Sequence, residues 1–108
     1  MICDSLILSL ETITRDRVDA AEERAKAEQT TFVAAYLSNR FDEIQAKVSE
    51  IGQKTGHSRE HLYYILNGAR PLSEKAAIAI ADTYPQIGLP ELYGIIAIES
   101  IRKAQDNG

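Results

Sequence analysis

The side chains best suited to recognise another molecule are concentrated in one short stretch: Ser58, Arg59, Glu60, His61, Tyr63, Tyr64, Asn67 and Arg70. Arg59 offers a planar fork of donors, Glu60 accepts, His61 can do either, and the Asn67 amide does both. Leu62, Ile65 and Leu66 recur among them at i, i+3 and i+4, so a helix here turns its aliphatics to one face and Glu60, Tyr64 and Asn67 to the other. Such a helix is held by a core at its back and presents its polar face to a partner. Catalysis and metal binding lack the residues they need. His57 and His61 are the only histidines, and the single cysteine, Cys3, stands at no metal-ligand spacing from them. There is no nucleophile–base pair, phosphate-cradling glycine loop or carboxylate pair with a supporting pattern, so no enzyme, metal site or cofactor is expected.

The 108 residues are 44% hydrophobic, enough for one modest core. No run of about 18 apolar residues occurs to span a membrane. The early ICDSLILSL is too short and lacks the basic flank and cleavage site of a signal peptide, so a cytoplasmic protein is expected. Cys3 has no partner for an internal disulfide. Twelve bases against sixteen acids give a net charge of −4 and a pI near 5.1, which by itself disfavours a polyanionic partner. The acids are unevenly placed, however. Residues 1–28 hold seven acids and four bases, whereas the stretch from Arg40 to Lys75 holds five acids and six bases.

Alternating β-branched patterns are scarce, and Asn67-Gly68 follows a helical pattern rather than joining two strands, so the chain reads as all-α. The expected architecture is a compact helical bundle of about five helices with an N-terminal helical extension, the extension covering residues 1–29 and the helix-bearing domain 30–108. In the extension Leu6, Leu10 and Ile13 start an apolar stripe that Val18, Ala21 and Ala25 continue more weakly, and Thr14 is placed to cap a helix. Thr30 or Thr31 caps the next. From there Ala34, Leu37, Phe41, Ile44, Val48, Ile51 and Thr55 recur at three- and four-residue steps. One continuous helix over 31–55 fits this spacing, as do two helices broken near Ser38, Asn39 and Asp42; a compact domain favours the break. Gly56 ends this pattern, Ser58 opens the polar-faced helix, and Gly68 closes it in a left-handed conformation. Ser73 then starts a helix that buries Ala76, Ala77, Ile80, Ala81 and Tyr84 and stops before Pro85. A last helix, from about Pro90 to Ala104, carries Leu92, Ile95, Ile96, Ile98 and Ile101. Arg102 and Lys103 in its last turn suit the helix dipole.

The stretch IGQKTGHSREHLYYILNG, followed by RPLSEKAAIAIA, resembles the lambda-repressor and Cro-type helix-turn-helix family of phage and bacterial regulators. The turn glycine, the inward aliphatics, the closing Asn-Gly and the Ser-capped helix that follows occur together over roughly residues 40–85. Gly52 stands where that family usually has alanine, and His57 where it commonly has an aliphatic residue. The resemblance implies a supporting helix from Val48 to Thr55 and a recognition helix from Ser58 to Asn67 that lies in the major groove. It makes Arg59 a reader of guanine and Glu60 an acceptor from cytosine. His57, His61, Tyr63, Tyr64 and Asn67 complete the DNA surface, Ser58 caps the helix, and Lys47, Lys54 and Arg70 are phosphate contacts.

What the resemblance implies is a sequence-specific regulator of transcription, most simply a phage-type repressor. It would bind double-stranded DNA as a homodimer formed through the C-terminal helix or, second, the N-terminal segment. The acidic balance supports a different expectation, a protein-interaction module of antitoxin or anti-repressor type on the same scaffold.

Overall fold

Four hydroxyl side chains each begin a helix. Thr14, Thr31, Ser58 and Ser73 accept hydrogen bonds of 3.1–3.2 Å from the backbone N–H three residues ahead, each worth about 1 kcal/mol against alanine. The computed structural model describes residues 13–107, so Cys3, Leu6 and Leu10 lie outside it. The helices are α1 (Arg15–Glu28), α2 (Phe32–Glu43), α3 (Val48–Thr55), α4 (Arg59–Leu66), α5 (Glu74–Thr83) and α6 (Leu89–Asn107). The described residues are all-helical apart from turns and connections, and none of the helices is long and apolar enough to cross a membrane. Among the described residues six helices stand where about five were expected. Residues 15–28 form a complete helix of their own, and 31–55 divides in two.

That division falls later than the polar residues suggested. Ser38, Asn39 and Asp42 all lie within α2, and the break occupies 44–47. Gln45 takes a left-handed conformation with φ of 58°, which lets the Ala46 N–H donate to the Phe41 carbonyl at 2.9 Å and close the helix end. Gln29 ends α1 in the same way, with φ of 54° and a 2.9 Å bond from the Thr30 N–H to the Ala25 carbonyl. Glutamine seldom adopts this conformation, so its residue type carries no mark of either turn. At the other end of the chain α6 runs beyond Ala104, and Arg102 and Lys103 are not in its last turn. Arg102 pairs with Glu22 of α1 and lies over the Phe32 ring, while Lys103 pairs with Glu99 at 3.1 Å.

α2 is the central helix. It packs against α1 on one side and against α4 and α6 elsewhere, and residues 32–37 are buried without interruption, as expected of a helix covered all round. The core around it comprises Leu37, Phe41, Ile51, Leu62, Ile65, Ile80, Ile87, Leu92 and Ile95. α1 contributes Ala21, which is fully buried, and adds surface pairs from Arg17 to Glu43 (2.9 Å) and from Arg24 to Asp42 (3.0 Å). Exposed pairs of this kind add little each, so the apolar contact makes the larger contribution.

Two charged side chains interrupt this apolar interior. Arg40, near the end of α2, is 5% exposed, and Glu91, in the first turn of α6, is 0% exposed. The Arg40 Nε donates to Glu91 Oε2 at 2.9 Å, its two terminal nitrogens reach Glu43 and the Gln86 carbonyl at 2.7 Å each, and the Tyr36 hydroxyl donates to Glu91 at 2.9 Å. Burial, and then the Glu91 carboxylate, push the Tyr36 hydroxyl above its ordinary range, so it remains a donor. Burial alone would raise the Glu43 carboxyl; the hydrogen bonds and charges of Arg17 and Arg40 outweigh it and hold the group below the usual carboxylate range.

Glu91→Ala removes the carboxylate that Arg40 and Tyr36 share, and we expect a loss of about 3 kcal/mol in urea unfolding. The double variant Arg40→Met, Glu91→Leu should recover most of that loss, because no buried charge is then left without its partner. A second weak point is Gly68, whose φ is +84° and where an added Cβ would stand 2.5 Å from Thr30 Oγ1 and 3.0 Å from the Thr31 nitrogen. Gly68→Ala should cost about 2 kcal/mol and lower the melting temperature by roughly 10 °C.

Candidate functional site

The polar face of α4 is set by how closely α3 passes it. α3 ends at Gly56, whose φ of 78° directs the chain into α4 and whose N–H donates to the Gly52 carbonyl at 2.9 Å. No atom lies within 4 Å of a Cβ placed at Gly56, so conformation alone demands glycine there. Gly52 is the opposite case, since its Cβ would meet the His57 carbonyl at 3.0 Å and Leu62 Cδ1 at 3.5 Å. Its departure from alanine therefore corresponds to a close approach between α3 and the start of α4. Across that contact Leu62 and Ile65 are buried, and Leu66 packs at the edge of the core.

The outward side chains fall into three groups. Arg59 and Tyr63 are exposed, Tyr63 at 52%, and Arg59 has no side-chain hydrogen bond or ion pair among the described residues. Ser58, Glu60, His61, Tyr64 and Arg70 line one small recess of about 270 Å³. Within it Tyr64 donates its hydroxyl to Glu60 at 3.0 Å, and the Arg70 guanidinium lies over the Tyr64 ring, 5.1 Å from its centre. Glu60 and Arg70 are thereby held at opposite parts of one aromatic ring. The third group is the histidine pair, whose rings stack with centres 5.3 Å apart and planes inclined by 25°. Burial, then His61 and Lys75, hold the His57 imidazole below its ordinary value.

Other predicted contacts have structural partners of their own. Ser58 uses its hydroxyl on the His61 N–H. Asn67 closes the turn: its side-chain oxygen accepts from the Ala69 N–H at 2.9 Å, while its carbonyl accepts from the Thr30 hydroxyl at 2.7 Å. Lys54 pairs with Glu50 at 2.7 Å and lies 5.8 Å from the centre of the Tyr84 ring. The pair raises the Lys54 ammonium and lowers the Glu50 carboxyl. Lys47 is exposed at the start of α3 and makes no side-chain cap. Neither lysine is tied by a hydrogen bond to the α4 group among the described residues.

Two residues outside the predicted set bear on this face. Thr30 joins the connection before α2 to the end of α4, and Lys75, at the start of α5, acts electrostatically on His57. Lys75 is separated from His57 by the whole of α4 in sequence, so no local spacing links them. The face can donate, accept and stack, and no group of three or more His, Cys, Asp or Glu side chains among the described residues could hold a metal. No family model, curated protein or solved structure matches the chain.

The close approach at Gly52 is directly testable. Gly52→Val drives a branched side chain toward the His57 carbonyl and should cost about 3 kcal/mol in urea unfolding. Gly52→Ala should be much milder, because a gain of about 1 kcal/mol in helix propensity offsets the tighter contact.

Proposed function

We propose that α3, the turn at 56–58 and α4 act as a helix-turn-helix of the lambda-repressor type, and that the protein is a sequence-specific, DNA-binding transcriptional regulator. The carrying observation is the pairing of a glycine-turned, tightly crossed α3–α4 corner with an α4 whose aliphatics are buried and whose Arg59 and Tyr63 are open to solvent. In this reading Arg59 pairs with a guanine edge, Glu60 accepts from cytosine, and Tyr63 meets a thymine methyl or the backbone. Arg70 and Lys47 contact phosphates, and Lys54 does so while sharing its charge with Glu50. Occupying a promoter then represses transcription without any catalytic step.

Few cations per chain and a net charge of −4 make a single subunit a weak ligand for DNA. A homodimer doubles the contacts and reads two half-sites. The surface supporting such a dimer runs along α6, where Tyr93, Ala97 and Ile101 are exposed at four-residue spacing, with Ile101 at 58% and Ile78 of α5 also exposed. The N-terminal segment is the second candidate. A phage-type repressor binding an operator as a dimer is the simplest form of this function.

A second reading is a protein-interaction module of antitoxin or anti-repressor type. It draws on a groove of about 760 Å³ between α1 and α2 whose arginines, Arg17, Arg24 and Arg40, are already paired with Glu43, Asp42 and Glu91, which leaves the exposed acids Asp16 and Glu23 to a basic partner. Selection of bound duplexes from a random pool, with the mass of the complex, separates the two. We expect an enriched sequence and two chains per duplex, with Arg59→Ala weakening binding roughly tenfold to hundredfold, or about 1–3 kcal/mol. If no sequence is enriched and Arg59→Ala leaves low-salt affinity unchanged, the DNA reading is wrong; a protein partner retained after nuclease treatment would favour the module.

A further inference from the structure

Most of the polar α4 face can be assigned to base or phosphate contacts without regard to pH, but the stacked histidines cannot. His57 lies in the turn before α4 and His61 in its first turn, so both residues belong to the end of α4 where the helix dipole is positive, and their rings stack there. The charged groups around them are mostly of the same sign. Lys75 faces His57 from the start of α5, Arg59 follows the turn on α4, and Arg70 lines the recess that holds His61. Of the acids, Glu60 lines that recess too, and it keeps its negative charge while accepting the Tyr64 hydroxyl. On α3, Lys54 is paired with Glu50. A proton placed on His57 therefore meets a neighbouring imidazole, a lysine and a helix N-terminus.

A phosphate brought to this corner reverses the balance. It adds negative charge beside the rings and favours a histidine that ionises and donates from both ring nitrogens. We propose that the His57–His61 pair is a proton-linked phosphate contact, so that DNA binding takes up about one proton and tightens as the pH falls. This rests on the DNA-binding reading above and deepens it. The sign follows from the two states. In the free protein burial, His61 and Lys75 hold the His57 imidazole below its ordinary value, whereas beside a phosphate its proton affinity rises. Affinity therefore increases as pH falls through the interval between the two values, around the ordinary imidazole value of about 6.5, and levels off outside it. Folding responds in the opposite direction: a histidine held below its ordinary value makes the fold lose stability as the pH drops past that value.

The experiment is calorimetric titration of a duplex selected by the protein, at pH 7.5 and 6.0, in buffers of different ionisation enthalpy that contain no phosphate. We expect affinity to rise about fivefold to tenfold toward pH 6.0 with uptake of about one proton, and the double variant His57→Gln, His61→Gln to lose both effects. Arg59→Ala should weaken binding at both pH values while keeping the pH slope. Should the double variant fail to fold, the imidazole proton resonances of wild type must still move to a higher titration midpoint when duplex is added. A duplex that binds with no pH slope and no proton uptake overturns the proton link and leaves the DNA reading standing. A folded protein that binds no duplex at either pH overturns the DNA reading, and the proton link with it.

Discussion

The buried ion pair between Arg40 and Glu91 joins parts of the chain 51 residues apart and fixes how the central helix meets the last one. Removing two charges from water is costly, and the Coulombic attraction between them does not by itself guarantee a net gain. The pair is tolerable here because each polar atom finds further partners. Tyr36 donates to the same carboxylate, while Glu43 and the Gln86 carbonyl take the rest of the guanidinium. Those extra bonds reach the loop between α5 and α6, so one buried charge holds the end of α2, that loop and the start of α6 in a single arrangement. An apolar pair could fill the same space, but it would not impose the same directions.

The placement of α4 depends on this frame. α4 touches α2 across Leu62 and Ile65 and is joined to the residues before α2 by the Thr30–Asn67 bond. Its other end is set by the crossing with α3, where Gly52 leaves little room for a side chain. The outward face carries few of these constraints. Arg59 and Tyr63 therefore contribute little to the fold, whereas Ser58 and Asn67 serve it as a cap and a turn closure. Residues that look alike in a candidate contact set thus divide by the hydrogen bonds they already make.

Charge shows the same division. Of the bases between Arg40 and Lys75, Arg40 is buried against Glu91 and Glu43, and Lys54 is shared with Glu50. The positive charge available to a partner is smaller than a count along the chain suggests. What remains near the α3–α4 corner is concentrated in Arg59, Arg70 and Lys75. Charge near a surface matters through its local field rather than through the net value, which is how an acidic chain can carry a face suited to phosphate. The proposed dimer and the proposed proton uptake would each supplement this modest supply.

Helix starts were legible in the sequence because capping is local. Thr14, Thr31, Ser58 and Ser73 each act on an N–H three residues away, and Gly56 and Gly68 announce left-handed turns by lacking a Cβ. The all-helical class and the buried face of α4 followed from three- and four-residue spacing for the same reason. Ends that rely on Gln29 and Gln45 were not legible, since glutamine adopts their conformation only when tertiary contacts and a closing hydrogen bond favour it. Nor did the sequence distinguish Arg40 from any other surface base, place Lys75 beside His57, or stack the histidines. Those relations join residues through space, and only the packed chain decides which charges lose water and which keep it.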